Sequence, residues 1–322
     1  MITRRELLQY TAAAAAVAAV GPTRAEAQSA DAPLFPGFKT SKIKTSGATI
    51  NLVSGGKGSP VLVMHGYPQT HVLWHKIAPK LAEKFSVVAA DLRGYGDSSK
   101  PEGGNKHENY SKRAMALDMV EAMHQLGFEK FAVVGHDRGG RVAHRLALDH
   151  ADKVTKVSFL DIVPTYDMFE HVDKAFATSN YHWFFLIQPS PLPETLIANS
   201  AEFFLRGRFE GLIPQAVTAE AYAEYLRCFK DPATIHATCE DYRAGASIDL
   251  EHDTADRARK IACPVLALWA ERGNTGRRFD VIATWQARAA MKVTGKALPG
   301  RHFLPEEAPE QTLGELQAFL SA

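Results

Sequence analysis

The sequence predicts an α/β fold, a mostly parallel sheet flanked by helices with an inserted helical cap. Three observations predict it. Short apolar runs alternate with helical patterns, as parallel strands joined by crossover helices require. One run enters a Gly-x-Asp-x-Gly turn that leads into a helix. The alternation then stops after Pro164 and resumes at Pro264, leaving a stretch rich in aromatics and prolines without strand periodicity.

At the N-terminus, Thr3-Arg4-Arg5-Glu6-Leu7-Leu8 precedes an Ala/Val run from Ala12 to Val20 and then Ala25-Glu26-Ala27. Residues 1–30 thus resemble a twin-arginine export signal. The run is about half the roughly 20 residues a bilayer span needs, so no stable membrane span is expected after processing. The expected location is the periplasm or the exterior, or the cytoplasm if the signal is not used.

Residues 31–163 and 247–322 are read as the core. Val61 to Met64, Phe85 to Ala90, Phe131 to Val134, Val157 to Leu160 and Val265 to Trp269 read as buried parallel strands. Ser111 to Leu126 reads as a helix, with Ser111 as N-cap, Ala114, Leu117, Val120 and Met123 at apolar positions, and Gly127 as its stop. Residues 164–246 are read as a mainly helical cap, punctuated by Pro189, Pro191 and Pro193, with Ala219 to Phe229 as one of its helices.

The composition, 46% hydrophobic and 23% charged, is that of a soluble globular protein. Net charge is +1; without Arg4, Arg5, Arg24, Glu6 and Glu26 of the first 30 residues, 37 basic and 36 acidic side chains become 34 of each. That balance argues against nucleic acid as a partner. Three cysteines leave at least one thiol free. Cys228 and Cys239 could bridge, and Cys263 reads as a small buried hydrophobe. No metal-ligand spacing exists among the three, and no cofactor is implied.

Phe131-Ala132-Val133-Val134-Gly135-His136-Asp137-Arg138-Gly139-Gly140-Arg141 has the form of a nucleophile elbow, the strand–turn–helix of α/β hydrolases. Its glycines relieve crowding, so the central side chain projects at the sheet's C-terminal edge, where open α/β folds bind ligands. Here it is the carboxylate of Asp137. A serine that attacked an sp3 carbon would leave a stable ether, whereas a carboxylate leaves an ester that water can cleave. Release then needs a general base and an oxyanion site. His302, on a loop near the C-terminus after the last strand pattern, is the candidate base. Two acids could orient it: Glu271 after the penultimate core strand, and Asp161 after Val157 to Leu160, the favoured one. Backbone N–H groups of Tyr67 and Arg138 are the expected oxyanion donors. Asp91 to Ser98 is read as a structural loop.

Arg138 and Arg141 follow the nucleophile at +1 and +4, so helical geometry places them beside it. Two cations in a first helical turn oppose the macrodipole, which makes sense where an anion sits, and the guanidinium fork suits a carboxylate. The expected substrate is a small acid.

The elbow, His65-Gly66-Tyr67-Pro68-Gln69, Tyr181-His182-Trp183, Cys239-Glu240-Asp241-Tyr242-Arg243-Ala244-Gly245 and His302-Phe303-Leu304-Pro305-Glu306-Glu307 together resemble the fluoroacetate dehalogenase family. The resemblance covers nearly the whole chain after residue 30. It implies hydrolysis of haloacetates, such as fluoroacetate and chloroacetate, to glycolate and halide through an aspartyl ester. Asp137 would attack the halogen-bearing carbon and His302 and Asp161 would complete the triad. Arg138 and Arg141 would hold the carboxylate, and His182, Trp183 and Tyr242 would receive the halide. Fluoride is a poor leaving group and a strong acceptor, so converging donors should lower the barrier. The resemblance also implies a homodimer. Gly140, the stretch 199–211 and the export signal are expected departures from the family.

Two other readings remain. An epoxide hydrolase would use the same nucleophile with a cap tyrosine, Tyr181, Tyr222, Tyr225 or Tyr242, protonating the opening oxygen. The paired arginines speak against it. A non-catalytic ligand-binding α/β hydrolase would show a damaged triad, and here it is intact. No Gly-x-Ser-x-Gly occurs for a serine esterase.

Overall fold

Alternation and apolar runs become eight strands in the computed structural model, which describes residues 34–322. The signal reading of residues 1–30 lies outside the described residues. The strands are β1 (Lys39–Lys44), β2 (Thr49–Gly55), β3 (Pro60–Met64), β4 (Ser86–Ala90), β5 (Phe131–His136), β6 (Val154–Leu160), β7 (Val265–Ala270) and β8 (Val293–Leu298). Their spatial order is β1-β2-β4-β3-β5-β6-β7-β8; β2 runs antiparallel to both its neighbours, β1 and β4, and every other pairing is parallel. Each of the five apolar runs is a strand, and they occupy the middle of the sheet.

Three strands were not singled out by apolar runs, and all lie towards the edges. β1 carries Lys39, Lys42 and Lys44 and is largely open to solvent. β8 is half-exposed and interrupted by Gly295 and Lys296. A strand covered on one side only needs no continuous apolar run. β5, covered on both faces, is buried along its whole length.

The helix over residues 112–125 starts where expected, the Ser111 side chain accepting from Ala114 N–H. After β5 comes the Asp137–Asp149 helix, buried for nearly its full length against the sheet. Glycine makes that approach feasible: a Cβ at Gly139 would lie 2.4 Å from the His65 carbonyl oxygen. Between β6 and β7 the chain is helical, with Thr165–Glu170, Lys174–Ser179, Tyr181–Leu186, Leu192–Ala198, Ala201–Arg208, Ala219–Phe229, Pro232–Gly245 and Ile248–Ala255 in succession. Leu186, Ile197, Leu205, Phe209, Tyr225 and Phe229 form its buried interior.

All three cysteines are free thiols. Cys228 and Cys239 are buried without bridging, and Cys263 is half-buried against the core rather than enclosed by it. Among the described residues no helix is long and apolar enough to cross a membrane.

Candidate active site

Asp137 stands at the first position of its helix with φ +45°, a left-handed conformation that a non-glycine residue adopts only under constraint. The constraint is the sharp turn out of β5, sealed by Gly139 N–H donating to the His65 carbonyl at 2.8 Å. Tyr67 N–H donates to Asp137 Oδ2 at 3.0 Å. Gly66 permits that contact, because a Cβ there would come within 2.5 Å of the Asp137 Cβ. Burial disfavours the charge on Asp137, yet the cations of His302, Arg141 and Arg138 outweigh it and hold the carboxyl below its usual range. The nucleophile candidate is therefore ionised at neutral pH.

Asp161 follows β6, also left-handed at φ +53°. Its Oδ1 accepts from Ala270 N–H at 3.0 Å and its Oδ2 lies 2.6 Å from His302 Nδ1. Position thus decides between the two acids: Glu271 is exposed and only its backbone N–H enters the sheet, bonding to Leu298. With Nδ1–H donated to Asp161, His302 keeps Nε2 free. Burial would lower its pKa, but the Asp161 hydrogen bond and the charges of Asp161 and Asp137 raise it above the ordinary histidine value.

The loop carrying His302 is held by a residue the sequence reading did not use. Glu307 Oε1 accepts from the N–H groups of His302 (2.9 Å) and Phe303 (2.8 Å), and Oε2 from that of Arg301 (3.0 Å). His136, also overlooked, donates from Nε2 to the His302 carbonyl at 2.9 Å, its ring 4.7 Å from that of His302. Burial and the His302 charge push its pKa down to about 3, so it is a neutral strut. Glu306 is buried between Gln69 Nε2 (2.5 Å) and Tyr225 Oη (2.9 Å), so the His302 loop, the Tyr67 loop and a helix of the inserted segment share one carboxyl. For the two glutamates the signal was the Glu306-Glu307 pair that closes the histidine motif; nothing in the spacing marked His136.

The two arginines have different surroundings. Arg138 is fully buried, with Nε and Nη2 on the two Asp241 oxygens at 2.8 Å each and its guanidinium 4.3 Å over the Tyr242 ring. Asp241 also accepts from Tyr95 Oη at 2.6 Å and from Lys112 Nζ. Arg141 has no carboxylate partner among the described residues. Its Nη1 donates to Thr165 Oγ1 (2.9 Å) and the Val163 carbonyl (3.3 Å), and the group lies 4.7 Å over the Trp183 ring. Burial and Arg138 bring its pKa down to about 10, still cationic at neutral pH.

A cavity of about 490 Å³ opens at this edge, lined by Tyr67, Asp137, Arg141, Asp161, His182, Trp183 and His302 among others. Tyr242 lies behind them, its ring edge-on to those of Tyr67 (5.2 Å), His182 (5.8 Å) and Trp183 (5.9 Å). Arg208, which sequence patterning gave no reason to select, also lines the cavity and brings Nη2 to 3.4 Å from His182 Nε2. Nucleophile candidate, His302–Asp161 pair, Arg141 and the cap aromatics thus converge on one space. Of the predicted residues, only Arg138 and Tyr242 stand behind the lining.

Residues 59–309 match the family described as alpha/beta hydrolase fold. A fluoroacetate dehalogenase from a Burkholderia species is 45% identical over 89% of this chain and 95% of its own length. A soluble epoxide hydrolase from Corynebacterium sp. strain C12 is 35% identical over 86% of this chain and 95% of its own. A solved α/β-hydrolase structure from Nostoc sp PCC 7120 superposes with a TM-score of 0.86 at 59% identity, covering 88% of this chain and 98% of that one.

Proposed function

The chain belongs to the fluoroacetate dehalogenase family of α/β hydrolases, and from that membership and the site's geometry we propose that it hydrolyses haloacetates to glycolate and halide. One observation carries the reading. An ionised carboxylate, not a hydroxyl, stands at the elbow, in the same cavity as a guanidinium without a carboxylate partner. The cation suits the carboxylate of a small acid, and the aspartate suits displacement at its α-carbon.

In the proposed reaction Arg141 binds the haloacetate carboxylate directly. Arg138, tied to Asp241, adds positive charge from behind and offers its remaining N–H groups. Tyr67 N–H holds Asp137 Oδ2, so Oδ1 is the oxygen left to attack. The new C–O bond forms as the C–halogen pair departs with the halide towards His182, Trp183 and Tyr242. His302 Nε2 then takes a proton from water, whose oxygen attacks the Asp137 carbonyl carbon. Charge gathers on Oδ2, where Tyr67 N–H, joined by Arg138 N–H, stabilises it. Collapse expels the glycolate alkoxide, which takes the proton from His302, and the regenerated Asp137 carboxyl releases the second water proton to solvent. Carbon is attacked once, so a chiral 2-halo acid is inverted.

The test is halide release from fluoroacetate and chloroacetate by protein lacking residues 1–30, with Asp137→Asn as control. Release abolished by the substitution supports the reading; no release from either substrate by the wild type overturns it. A second reading, epoxide opening, is favoured by the buried hydroxyls of Tyr67 and Tyr242 beside the nucleophile and by the Corynebacterium relative. A neutral epoxide would gain little from Arg141, and diol formation from epoxides is the measurement that would favour it.

The same reading assigns residues 164–246 to a cap over a core of 31–163 and 247–322. It keeps residues 1–30 as a twin-arginine signal, tested by the intact mass of the native protein, and a homodimer, tested by sedimentation. Phe203, Leu196 and Leu192, exposed on the cap, supply an apolar face for such an assembly.

A further inference from the structure

The aromatic cluster beside Asp137 contains a hydroxyl that neither the motif reading nor the proposed reaction uses, that of Tyr67. Its backbone N–H is on Asp137 Oδ2, so its side chain starts at the nucleophile. Its ring lines the cavity, stacks 6.0 Å from that of His182 and meets that of Tyr242 edge-on at 5.2 Å. Tyr67 Oη, Tyr242 Oη and His182 Nδ1 are all buried, and none has a hydrogen-bond partner among the described residues. Buried polar atoms are nearly always paired, because one left alone has given up its hydrogen bonds to water without replacement. Three orphans in one ring cluster indicate a missing acceptor.

The protons of all three point the same way chemically. A guanidinium can only donate, so Arg208 Nη2 at 3.4 Å from His182 Nε2 makes that nitrogen the acceptor and leaves the proton on Nδ1. Burial keeps both phenols protonated, as does the neighbouring charge of Asp137 at Tyr242. The cluster is therefore a set of donors, and it suits a small anion that arrives without a proton. We infer that the Tyr67 hydroxyl is a further hydrogen-bond donor to the departing halide, completing with His182 and Tyr242 a leaving-group site for the proposed reaction. This rests on the dehalogenase reading and adds a residue to it. No proton moves: the carbon–halogen pair leaves with the halide, and the phenols remain protonated.

Tyr67→Phe removes the hydroxyl and keeps the ring and the backbone donor. With fluoroacetate, kcat should fall about 10- to 100-fold with KM little changed, the size of a hydrogen bond to a charged group. With chloroacetate the fall should be severalfold smaller, since chloride is the weaker acceptor and the better leaving group. Equal losses on both substrates, a change confined to KM, or no change would overturn the inference. Fluoride binding followed by titration calorimetry is a readout independent of turnover: the variant should bind the ion more weakly than the wild type, and equal binding would also overturn it. A wild type that releases no halide from any haloacetate would defeat the dehalogenase reading instead, and the ion titration would still decide on Tyr67.

Discussion

The sheet edge and the cap aromatics face the same cavity but are finished to different degrees. At the sheet edge each carboxylate is already held: Asp137 by Tyr67 N–H, Asp161 by Ala270 N–H and His302, Glu307 by three consecutive backbone donors. Beside them, the Tyr67 side chain, on the loop after β3, joins His182 and Tyr242 of the helical segment in presenting polar atoms that have no hydrogen-bond partner among the described residues. The edge is organised before substrate arrives, as electrostatic catalysis requires. The aromatic side keeps donors without an acceptor among the described residues. The same contrast divides the arginines, Arg138 being paired with Asp241 and Arg141 having no carboxylate partner among the described residues.

The sharpest way to break this contrast is Asp137→Asn, for which halide release should fall by about 10⁴-fold or more, as for other covalent nucleophiles. Substituting His302 separates the two halves of the reaction. With His302→Gln, turnover should fall about 10²- to 10⁴-fold, yet one halide per site should still appear. Mass spectrometry should find Asp137 carrying a carboxymethyl ester. Loss of the halide burst would contradict displacement by Asp137 before water is activated.

Paired and unpaired arginines predict opposite defects. Asp241→Asn leaves the buried Arg138 charge without its partner and should cost about 3–5 kcal/mol of stability, read by denaturant unfolding. Arg141→Gln should leave stability nearly intact and raise KM for haloacetates about tenfold or more. A reversal of these two outcomes would undo the distinction.

Smaller effects follow from pH. His302 must be neutral to activate water, so turnover should rise with pH through its raised pKa. Asp161→Asn removes the main cause of that rise and should move the ascending limb to lower pH. Glu306 is pushed up to about 8 by burial, so the native state holds a proton there that the unfolded chain loses near 4.5. Its contribution to stability is complete below the ordinary carboxylate pKa and lost as pH rises to about 8. Glu306→Gln should flatten that slope, by a few kcal/mol at most. Urea midpoints at pH 5 and pH 8 measure it.

The local features of the site were legible because the physics that makes them is local. An apolar run followed by Gly135, Asp137 and Gly139 and then a helical pattern reads as a strand entering a tight turn, and an Arg at +4 returns to the Asp137 side of a helix. The family motifs added His182, Trp183 and Tyr242, which periodicity alone would have assigned to lid packing. The edge strands β1 and β8 were less legible, because half-exposed strands carry a weak apolar signal. Glu307, His136 and Arg208 were missed, for each acts on a neighbour in space through a hydrogen bond that no spacing rule encodes.

By itself the sequence determined the fold class, the carboxylate at the elbow and the cation four residues after it, since each follows from residue type and the period of helix or strand. Only the tertiary structure decided which acid meets His302, 141 residues from Asp161 along the chain. It alone showed that Arg138 belongs to Asp241, 103 residues away, and that Tyr67, His182 and Tyr242 share one unpaired cluster. Those pairings depend on where distant segments of chain come together, and a buried donor or acceptor is satisfied or orphaned only by what lies beside it there.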